Sequence, residues 1–438
     1  MSSNGETMRN RQYLLKFIVF SVIGAFMFFV SIPYNGKSTI PLDHLTTIIR
    51  NLLGDYQKYW VLILMVFGVF WGFYKKTWNK DVTSTIFTVF KILGTICAIM
   101  YIWNIGPEFL MTNDNLFPYL FGTLCQSLAF LIPLGAIFLA FLTNYGLMEF
   151  VGVLVQPIMR PVWKTPGRSA IDAVSSFVGS YSLALLITDK VYQDGKYTKK
   201  EAAIIATGFS TVSTTFMIVV AQTLDLMGDW NFYFWTTLVI TFIITAIVAR
   251  IYPISKIPDE YKEGVTPKPE ETVKEKRFRK ALQEALDAAA ASGNIGKNVW
   301  ESFRDGIVMC ASVLSTIMAI GLLGMLIALY TPVFDIIGYI FLPFAAAVQL
   351  PEATVAAQAL ATSIAEMSLP TVFVTGASMA TRYVVAVTCI SEIIFFSAVV
   401  PCIMSTSIPI KMRDLIIIWV ERVILSILLA GVVALIFL

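Results

Sequence analysis

Residues 169–192 read SAIDAVSSFVGSYSLALLITDKVY. The segment is only moderately apolar, it is crowded with small hydroxyl residues, and Gly179 lies near its centre. Irregular backbone at membrane depth is tolerated where it is buried in protein, but not where it faces lipid. The segment therefore predicts a broken, re-entrant hairpin rather than a straight span. Residues 352–374, EATVAAQALATSIAEMSLPTVFV, predict a second hairpin of the same kind.

The composition of the 438-residue chain indicates an all-α polytopic membrane protein. Hydrophobic residues make up 57% and charged residues 14% of the sequence, whereas about a quarter of an ordinary soluble domain is charged. Several apolar runs reach the ~20 residues that cross a bilayer, and they are continuous rather than alternating. Soluble enzymes, nucleic-acid binders and secreted disulfide scaffolds are therefore excluded. With five scattered cysteines and His44 as the single histidine, no metal site is expected.

The apolar runs predict about nine transmembrane helices in addition to the two hairpins. The predicted spans cover residues 14–32, 59–73, 82–103, 121–143, 201–226, 231–250, 303–330, 381–406 and 414–438. Lysine and arginine concentrate in one set of loops, which the positive-inside rule assigns to the cytoplasm. This orientation places the N-terminus in the cytoplasm and the C-terminus outside.

The order of the segments divides the chain into four parts. Residues 1–117 form an N-terminal three-helix membrane segment, and residues 118–252 form a first repeat. Residues 253–300 contain four prolines followed by a charge-rich stretch, and they predict a solvated cytoplasmic linker. Residues 301–438 form a second repeat, which has the same order of segments but the opposite orientation.

Two short strings set the register of the repeats, GVLVQP at 152–157 and GYIFLP at 338–343. The aligned pairs that follow are Ser176 with Thr362, Ser180 with Glu366, Ser210 with Ser391, and Thr211 with Glu392. Inverted repeats with interrupted helices are typical of secondary transporters, whose substrate sites form at the midplane where the broken helices meet. The alternative interpretation is that the small residues only allow close helix packing.

Three strings resemble the YjiH-type membrane proteins, which carry the nucleoside-recognition or Gate domain. They are GSYSLALLITDK at 179–190, GKYTKKEAAIIATGFSTVS at 195–213 and GKSTIPLDH at 36–44. The resemblance covers nearly the whole chain and implies a hairpin-containing unit in a bacterial inner membrane. Gate domains also recur in concentrative nucleoside transporters, ferrous-iron transporters and sporulation membrane proteins. In the nucleoside carriers a Gln-Thr-Glu-Ala-Pro type hairpin binds substrate, and EMSLP at 366–370 resembles it in the acid followed by a proline.

Glu366 and Glu392 are the strongest candidates for chemistry. Both lie in apolar surroundings of the second repeat, where a carboxylate costs several kcal/mol unless it is neutralised or paired. Each could carry a proton, pair with sodium, or hold an ammonium group of a substrate. The alternative is a hydrogen-bonded acid that only fixes helix packing. Lys91 also falls within a predicted span, but its direction is not readable from the sequence. Glu421 and Arg422, in the last predicted span, are expected to form an internal pair.

Hydroxyl and glycine residues complete the predicted substrate site, because they offer hydrogen bonds and close backbone approach. Those of the first repeat are Ser176, Gly179, Ser180, Tyr181, Ser182, Thr207, Ser210 and Thr211. Those of the second repeat are Thr362, Ser363, Ser368 and Ser391.

These patterns predict a secondary active transporter that moves a small polar solute by alternating access. The solute is expected to be zwitterionic, cationic or nucleoside-like, and a proton or a sodium ion is the expected coupling ion in place of any cofactor. The expected partners are the lipid bilayer and either further copies of this chain or a partner membrane protein. The first alternative is a non-transporting Gate-domain component that acts in a complex with a partner protein. An inorganic cation carrier and an intramembrane enzyme are less well supported, since metal ligands and a nucleophile–base pair are lacking.

Overall fold

The computed structural model describes residues 3–30, 32–34, 37–76, 78, 82–114, 116–178, 181–212, 214–269, 277–404 and 406–438. Within these residues the chain forms twenty α-helices and one small antiparallel β-hairpin, so the predicted all-α membrane fold is confirmed. The N-terminal elements are α1 (Ser3–Phe29), β1 (Ile32–Tyr34), β2 (Lys37–Thr39), α2 (Pro41–Leu53), α3 (Gln57–Tyr74), α4 (Val82–Trp103) and α5 (Glu108–Thr112).

The two repeats then follow in the same order of elements. The first contains a π-helical segment (Pro118–Cys125), α6 (Gln126–Thr143), α7 (Leu147–Ile158), a second π-helical segment (Met159–Trp163), α8 (Ser169–Val178), α9 (Tyr181–Gln193), α10 (Lys199–Gly208), α11 (Thr214–Thr223) and α12 (Trp230–Val248). After the linker helix α13 (Arg277–Ala291), the second contains α14 (Ile295–Tyr330), α15 (Val333–Ala347), α16 (Ala353–Ala361), α17 (Leu369–Val374), α18 (Met379–Ser391), α19 (Val399–Met404) and α20 (Met412–Phe437).

Seven helical stretches in the described residues are long and apolar enough to cross a membrane. Two predicted continuous spans, 201–226 and 381–406, are instead each broken near the middle, which corrects the sequence prediction. The first is divided into α10 and α11, and the second into α18 and α19. The backbone turns tightly at both breaks, because the Thr211 N–H donates to the Phe209 carbonyl at 2.8 Å and the Ile394 N–H to the Glu392 carbonyl at 2.7 Å. Neither turn lowers the average hydropathy of its segment enough to be detected from the sequence.

The contacts at the ends of the broken helices show that the two repeats run in opposite directions. At one face of the molecule, Arg382 at the start of α18 donates to the Leu224 carbonyl just after α11, at 2.8 Å. At the other face, the Ser407 N–H, just after α19, donates to Asp189 in α9 at 2.8 Å. The second face also carries α13 and is called the linker face below. Each repeat crosses the molecule three times, through α6, α10–α11 and α12 in the first repeat and through α14, α18–α19 and α20 in the second. Because three is an odd number, the second repeat starts at the face opposite to the one where the first repeat starts, and it is therefore inverted.

The helices α3, α4, α6 and α14 pack together into a scaffold. Close approach is possible because glycines lie at the crossings. A Cβ atom on Gly94 of α4 would lie 1.9 Å from the Ser315 carbonyl oxygen of α14. One residue further along, the Thr95 and Ser315 hydroxyl oxygens are 3.3 Å apart. Small residues at such crossings are typical of helix packing in membranes.

The linker differs from the solvated segment that its charge predicts. Helix α13 places a row of alanines, Ala281, Ala285 and Ala289, in fully buried positions, and it packs against α7 and α1. Gly146 allows this contact, since a Cβ atom there would lie 2.3 Å from the Ala285 carbonyl oxygen. The alanine face of the linker helix is therefore packed against the rest of the protein, and its charged face is exposed on the surface.

Candidate functional site

A cavity of about 320 Å³ lies between the scaffold and the broken elements of both repeats. This volume falls at the lower end of the range for small-molecule sites. One wall consists of residues from α3, α4, α6 and α14, and the other of residues from α9, α11, the second hairpin and the two breaks. Glu366 and Lys91 are the charged residues among its described lining. Most of the remaining lining is apolar or aromatic.

Glu366 lies at the tip of the second hairpin, between α16 and α17, and is 2% exposed. One carboxylate oxygen accepts a hydrogen bond from the Ser397 hydroxyl. The other accepts from the Ser368 N–H at 3.3 Å and from the Ser368 hydroxyl at 3.1 Å. These bonds fix the side chain without using all of its lone pairs, so the carboxylate can still accept hydrogen bonds from a solute.

The second break holds the hairpin tip in place through the backbone. The Phe396 N–H donates to the Ile364 carbonyl at 2.8 Å, and the Ser397 N–H donates to the Ala365 carbonyl at 3.0 Å. These two bonds satisfy carbonyls at the end of the 3-10 turn (Thr362–Ile364) that follows α16. They also bring the Ser397 side chain to Glu366. The non-helical segment between α18 and α19 therefore forms the end of the cavity that contains Glu366.

Glu392 lies at the second break but not among the cavity-lining residues. It is fully buried, and one carboxylate oxygen accepts from the Trp419 indole N–H at 3.1 Å. The same indole N–H lies 3.1 Å from the Ser363 hydroxyl of the hairpin. The other carboxylate oxygen has no hydrogen-bond partner in the described structure. The charge of Glu392 therefore interacts with that of Glu366, although Glu392 does not line the cavity.

Arg422 joins the two breaks from the last helix, α20. The guanidinium is fully buried, and its Nε donates to the Ser391 carbonyl at the end of α18, at 2.7 Å. Its Nη1 donates to the Thr245 hydroxyl at 3.2 Å, and that hydroxyl donates to the Gly208 carbonyl at the end of α10, at 2.8 Å. A cation near helix C-termini is favourable because it opposes the partial negative charge there. The expected pair of Arg422 with Glu421 is not formed among the described contacts.

Comparisons with known proteins identify a domain in this chain and a relative of the whole chain. A family model described as "Gate: Nucleoside recognition" matches residues 126–227, which contain the first hairpin and the first broken helix. A protein of Alkalihalophilus pseudofirmus is 32% identical over 442 residues, which is 96% of this chain and 94% of that protein. This chain belongs to the same family of Gate-domain membrane proteins.

A comparison with solved structures finds one further protein that is similar to this Gate-domain protein. A structure of a doubly substituted CNTnw in an outward-facing state covers 98% of this chain and 99% of that chain, with 14% sequence identity and a TM-score of 0.45. The Gate match and the seven candidate spans in the described residues are those of a multi-pass membrane protein. Among the described residues no group of three or more histidines, cysteines and acids could hold a metal ion.

Of the predicted site residues that the structure describes, two are part of the cavity lining and the others are not. Tyr181 and Glu366 line the cavity directly. The Ser176 hydroxyl donates to the Thr211 carbonyl at 3.0 Å and so joins the first hairpin to the first break. The hydroxyls of the remaining described residues donate to carbonyls or lie against other side chains; these residues are Thr207, Ser210, Thr211, Thr362, Ser363, Ser368 and Ser391. Gly179, Ser180 and the side chain of Ser182 lie outside the described residues.

Sequence reasoning missed several residues that line the cavity. Lys91 was visible as a charge within a span, but nothing in the sequence gave its direction. Ser397 belongs to a stretch that hydropathy assigns to a continuous span, so its place beside Glu366 was hidden. The scaffold wall also contributes hydroxyl residues that carry no recognisable motif, namely Ser84, Thr88, Ser312 and Thr316.

Proposed function

We propose that this Gate-domain protein is a secondary active transporter of a small polar organic solute, oriented in a bacterial inner membrane with its N-terminus in the cytoplasm. The observation that carries the proposal is the position of Glu366. A buried carboxylate at the meeting point of a re-entrant hairpin and a broken helix lines a cavity large enough for a small solute. Discontinuous helices that meet near mid-depth are where transporters of inverted-repeat architecture bind their substrates.

The asymmetry of the cavity supports alternating access. It reaches Gly72 and Ser84, at the linker-face ends of α3 and α4. Toward the opposite face, the Tyr119 hydroxyl of the π-helical segment before α6 lies 2.7 Å from the Thr371 hydroxyl of α17, and both side chains are buried. We propose that this contact closes the path beyond Glu366. In the predicted orientation the cavity would then be accessible from the cytoplasm, and transport would require the Tyr119–Thr371 contact to separate.

We assign coupling to Glu366 and Glu392, with a proton or a sodium ion as the coupling ion. Their carboxylates interact electrostatically, so a change in the charge of one alters the cost of burying the other. Glu366 would meet the solute, while Glu392 would respond from behind the cavity. A nucleoside remains within the proposed substrate range, because the matched family model is described as nucleoside recognition.

The test begins by finding a solute with a thermal-shift screen of the purified protein. Amino acids, dipeptides, nucleosides and polyamines are tested with and without sodium, since a ligand that binds the folded state raises its apparent stability. Uptake of the solute with the largest shift is then measured in proteoliposomes for the wild type, Glu366→Gln and Glu392→Gln. Glu421→Gln is the control, because this acid on α20 lies outside the described cavity lining.

We expect Glu366→Gln to reduce uptake about 10- to 100-fold, since a hydrogen bond to a charged group contributes about 1.5–3 kcal/mol. Glu392→Gln should weaken the dependence on the ion gradient more than the binding of the solute. The control should transport at the wild-type rate. Wild-type uptake in both site variants would remove these acids from the mechanism. A panel without any thermal shift would favour the partner-dependent membrane component instead.

A further inference from the structure

We propose that Lys91 binds an anionic group of the substrate while Glu366 binds its ammonium or hydroxyl group, so that the solute is a small zwitterion. This inference rests on the proposed transport function and deepens it. Lys91 lies nine residues into the 22-residue helix α4, on the scaffold wall of the cavity. Glu366 lies on the wall that the second hairpin and the second break form.

Lys91 has no carboxylate partner among the described residues. Its amine is not in an ion pair with Glu366 or with another described acid. A lysine within a membrane span costs free energy unless it reaches the interface or finds a partner. Its side chain is half-buried and borders the cavity. An anionic group that enters the cavity would be that partner.

The hydrogen-bonding groups divide between the two walls. On the scaffold wall, the Thr88 and Thr316 hydroxyls donate to the Ser84 and Ser312 carbonyls, both at 2.9 Å. These two hydroxyls are therefore committed as donors, and the Lys91 ammonium is the charged donor that this wall offers to an anion. On the opposite wall, the Ser397 hydroxyl donates to Glu366, so the carboxylate remains as the acceptor for a cationic or hydroxyl group.

Most of the cavity lining other than these two charged residues is apolar. Phe87 and Ile317 lie on the scaffold wall, and Phe216 and Phe395 on the other. A solute that fits this arrangement has charged ends of opposite sign and an apolar body, as a dipeptide or a large amino acid has. A doubly cationic solute would leave Lys91 facing a like charge, and a neutral solute would leave both charges unpaired. Because the charges lie on different walls, a zwitterion also links the scaffold to the broken elements.

The test compares four probes in thermal-shift titrations and in proteoliposome uptake. Glycyl-leucine carries a carboxylate, phosphoethanolamine carries a phosphate, cadaverine carries two cations, and uridine is neutral. Each is measured with the wild type, Lys91→Gln, Lys91→Arg and Glu366→Gln. The first two probes distinguish a carboxylate from a phosphate as the anionic group. Glycyl-leucinamide, which lacks the carboxylate, serves as the matched control for glycyl-leucine.

We expect the wild type to bind one of the zwitterions at least ten-fold more tightly than cadaverine, uridine and glycyl-leucinamide. Lys91→Gln should weaken that zwitterion about 10- to 100-fold and leave the amide unaffected, since a hydrogen bond to a charged group is lost. Lys91→Arg should retain the preference, which separates a role in binding from a role in folding.

Three results would overturn the inference. Uptake of uridine or cadaverine with equal or higher affinity would show transport of another class, so the proposed function would stand without this assignment. Unchanged zwitterion affinity in a folded Lys91→Gln would remove Lys91 from the site. Absence of binding and uptake for every probe and every solute of the wider panel would contradict the transport function and this inference with it.

Discussion

The two broken helices solve the same structural problem with different chemistry. Each ends at mid-depth, where its last carbonyl groups have no helical partners. In the first repeat the Gly208 carbonyl accepts from the neutral Thr245 hydroxyl at 2.8 Å. In the second repeat the Ser391 carbonyl accepts from the buried Arg422 guanidinium at 2.7 Å. The fold therefore needs a donor from the following span at each break, but it does not need a charge.

The difference shows what the charge in the second repeat is for. The second break carries Glu392 directly after the end of α18, whereas the residue at the same place after α10 is Phe209, and not the Thr211 that the sequence alignment pairs with Glu392. Arg422 and Glu392 are both fully buried, and their charges attract each other, although the described contacts include no direct ion pair between them. A buried acid is costly unless a cation compensates it. The first break has no acid and uses a hydroxyl instead. We infer that Arg422 compensates Glu392 in addition to capping α18.

The largest expected effect comes from removing this compensation with Arg422→Met. The change leaves Glu392 buried without its cation and removes donors from the Ser391 carbonyl and the Thr245 hydroxyl. We expect a loss of about 3–5 kcal/mol, as is typical when one partner of a buried pair is removed. The thermal unfolding midpoint in detergent measures it. Adding Glu392→Gln should restore part of the loss.

The neutral counterpart in the first repeat is the matched control. Thr245→Val removes the donor to the Gly208 carbonyl and also the acceptor of the Arg422 Nη1, so it should cost about 1.5–3 kcal/mol, the usual contribution of a hydrogen bond to a charged group. Arg422→Lys should fall between the two variants, since a single ammonium keeps the charge but not the guanidinium fork. Equal losses in Arg422→Met and Thr245→Val, with no rescue by Glu392→Gln, would show that the charge has no compensating role.

Much of this architecture could be predicted from the sequence because it depends on patterns that average over many residues. Long apolar runs predict spans, and clustered small residues predict hairpins. The matching prolines of the two repeats, Pro157 and Pro343, fall inside the corresponding helices α7 and α15. Glu366 was identifiable because a single carboxylate stands out in apolar surroundings. It does line the cavity.

The rest depends on directions and on single backbone torsions, which such patterns do not contain. At the second break Ile393 has a φ of +63°, a conformation that a β-branched residue rarely adopts. Nothing in the neighbouring sequence predicts it. The charged neighbours Glu421 and Arg422 suggested a local pair. The partners of Arg422 instead lie 31 and 177 residues away in the chain. The direction of Lys91 was likewise not predictable, because the cavity wall on which it lies forms only when α4 packs against α14.

The next effect tests how closely α10 approaches α12 at the first break. A Cβ atom on Gly208 would lie 2.2 Å from the Thr245 Cγ2 atom. Alanine favours a helix by about 1 kcal/mol over glycine, but overpacking costs about 1–3 kcal/mol. We expect the clash to dominate, so that Gly208→Ala lowers the unfolding midpoint and displaces the Thr245 hydroxyl. Uptake, measured in parallel, should fall with it.

A second substitution makes this prediction specific. Thr245→Ser removes the Cγ2 atom and keeps the hydroxyl, so it should restore much of the stability of Gly208→Ala. Gly228→Ala is the control, because no atom lies within 4 Å of the added Cβ position. A Gly208→Ala variant as stable as the control would show that the two helices can separate without cost.

The starts of the broken helices also correspond. Thr198 caps α10 by accepting from the Glu201 N–H at 3.1 Å, and its hydroxyl donates to Asp259 of the linker at 2.6 Å. Ser378 caps α18 by accepting from the Thr381 N–H at 3.4 Å, and its hydroxyl donates to Glu352 at 2.7 Å. In each repeat a carboxylate from another element thus orients the capping hydroxyl. Glu352 stands directly before α16, outside the membrane-spanning segments, so it joins the second hairpin to α18.

The smallest effect is a pH dependence at Glu352. Hydrogen bonds from the Thr381 and Ser378 hydroxyls lower the pKa of this carboxyl below its ordinary value. A lowered pKa in the folded state means that the stabilisation is fully present above the ordinary pKa of glutamate. It disappears as the pH falls through the lowered value. We expect Glu352→Gln to cost about 0.5 kcal/mol at neutral pH, because the group is near the surface. The difference from the wild type should vanish in acid.

A double-mutant cycle separates this cap from a general loss of surface charge. Ser378→Ala alone should cost about 1 kcal/mol, as is usual for a helix N-cap. If the carboxylate acts by orienting the capping hydroxyl, then Glu352→Gln should add little once Ser378 has been replaced, and the coupling should reach several tenths of a kcal/mol. Additive losses that persist at acid pH would show that Glu352 acts independently of the cap. In that case the resemblance to the Thr198–Asp259 pair would be geometric rather than energetic.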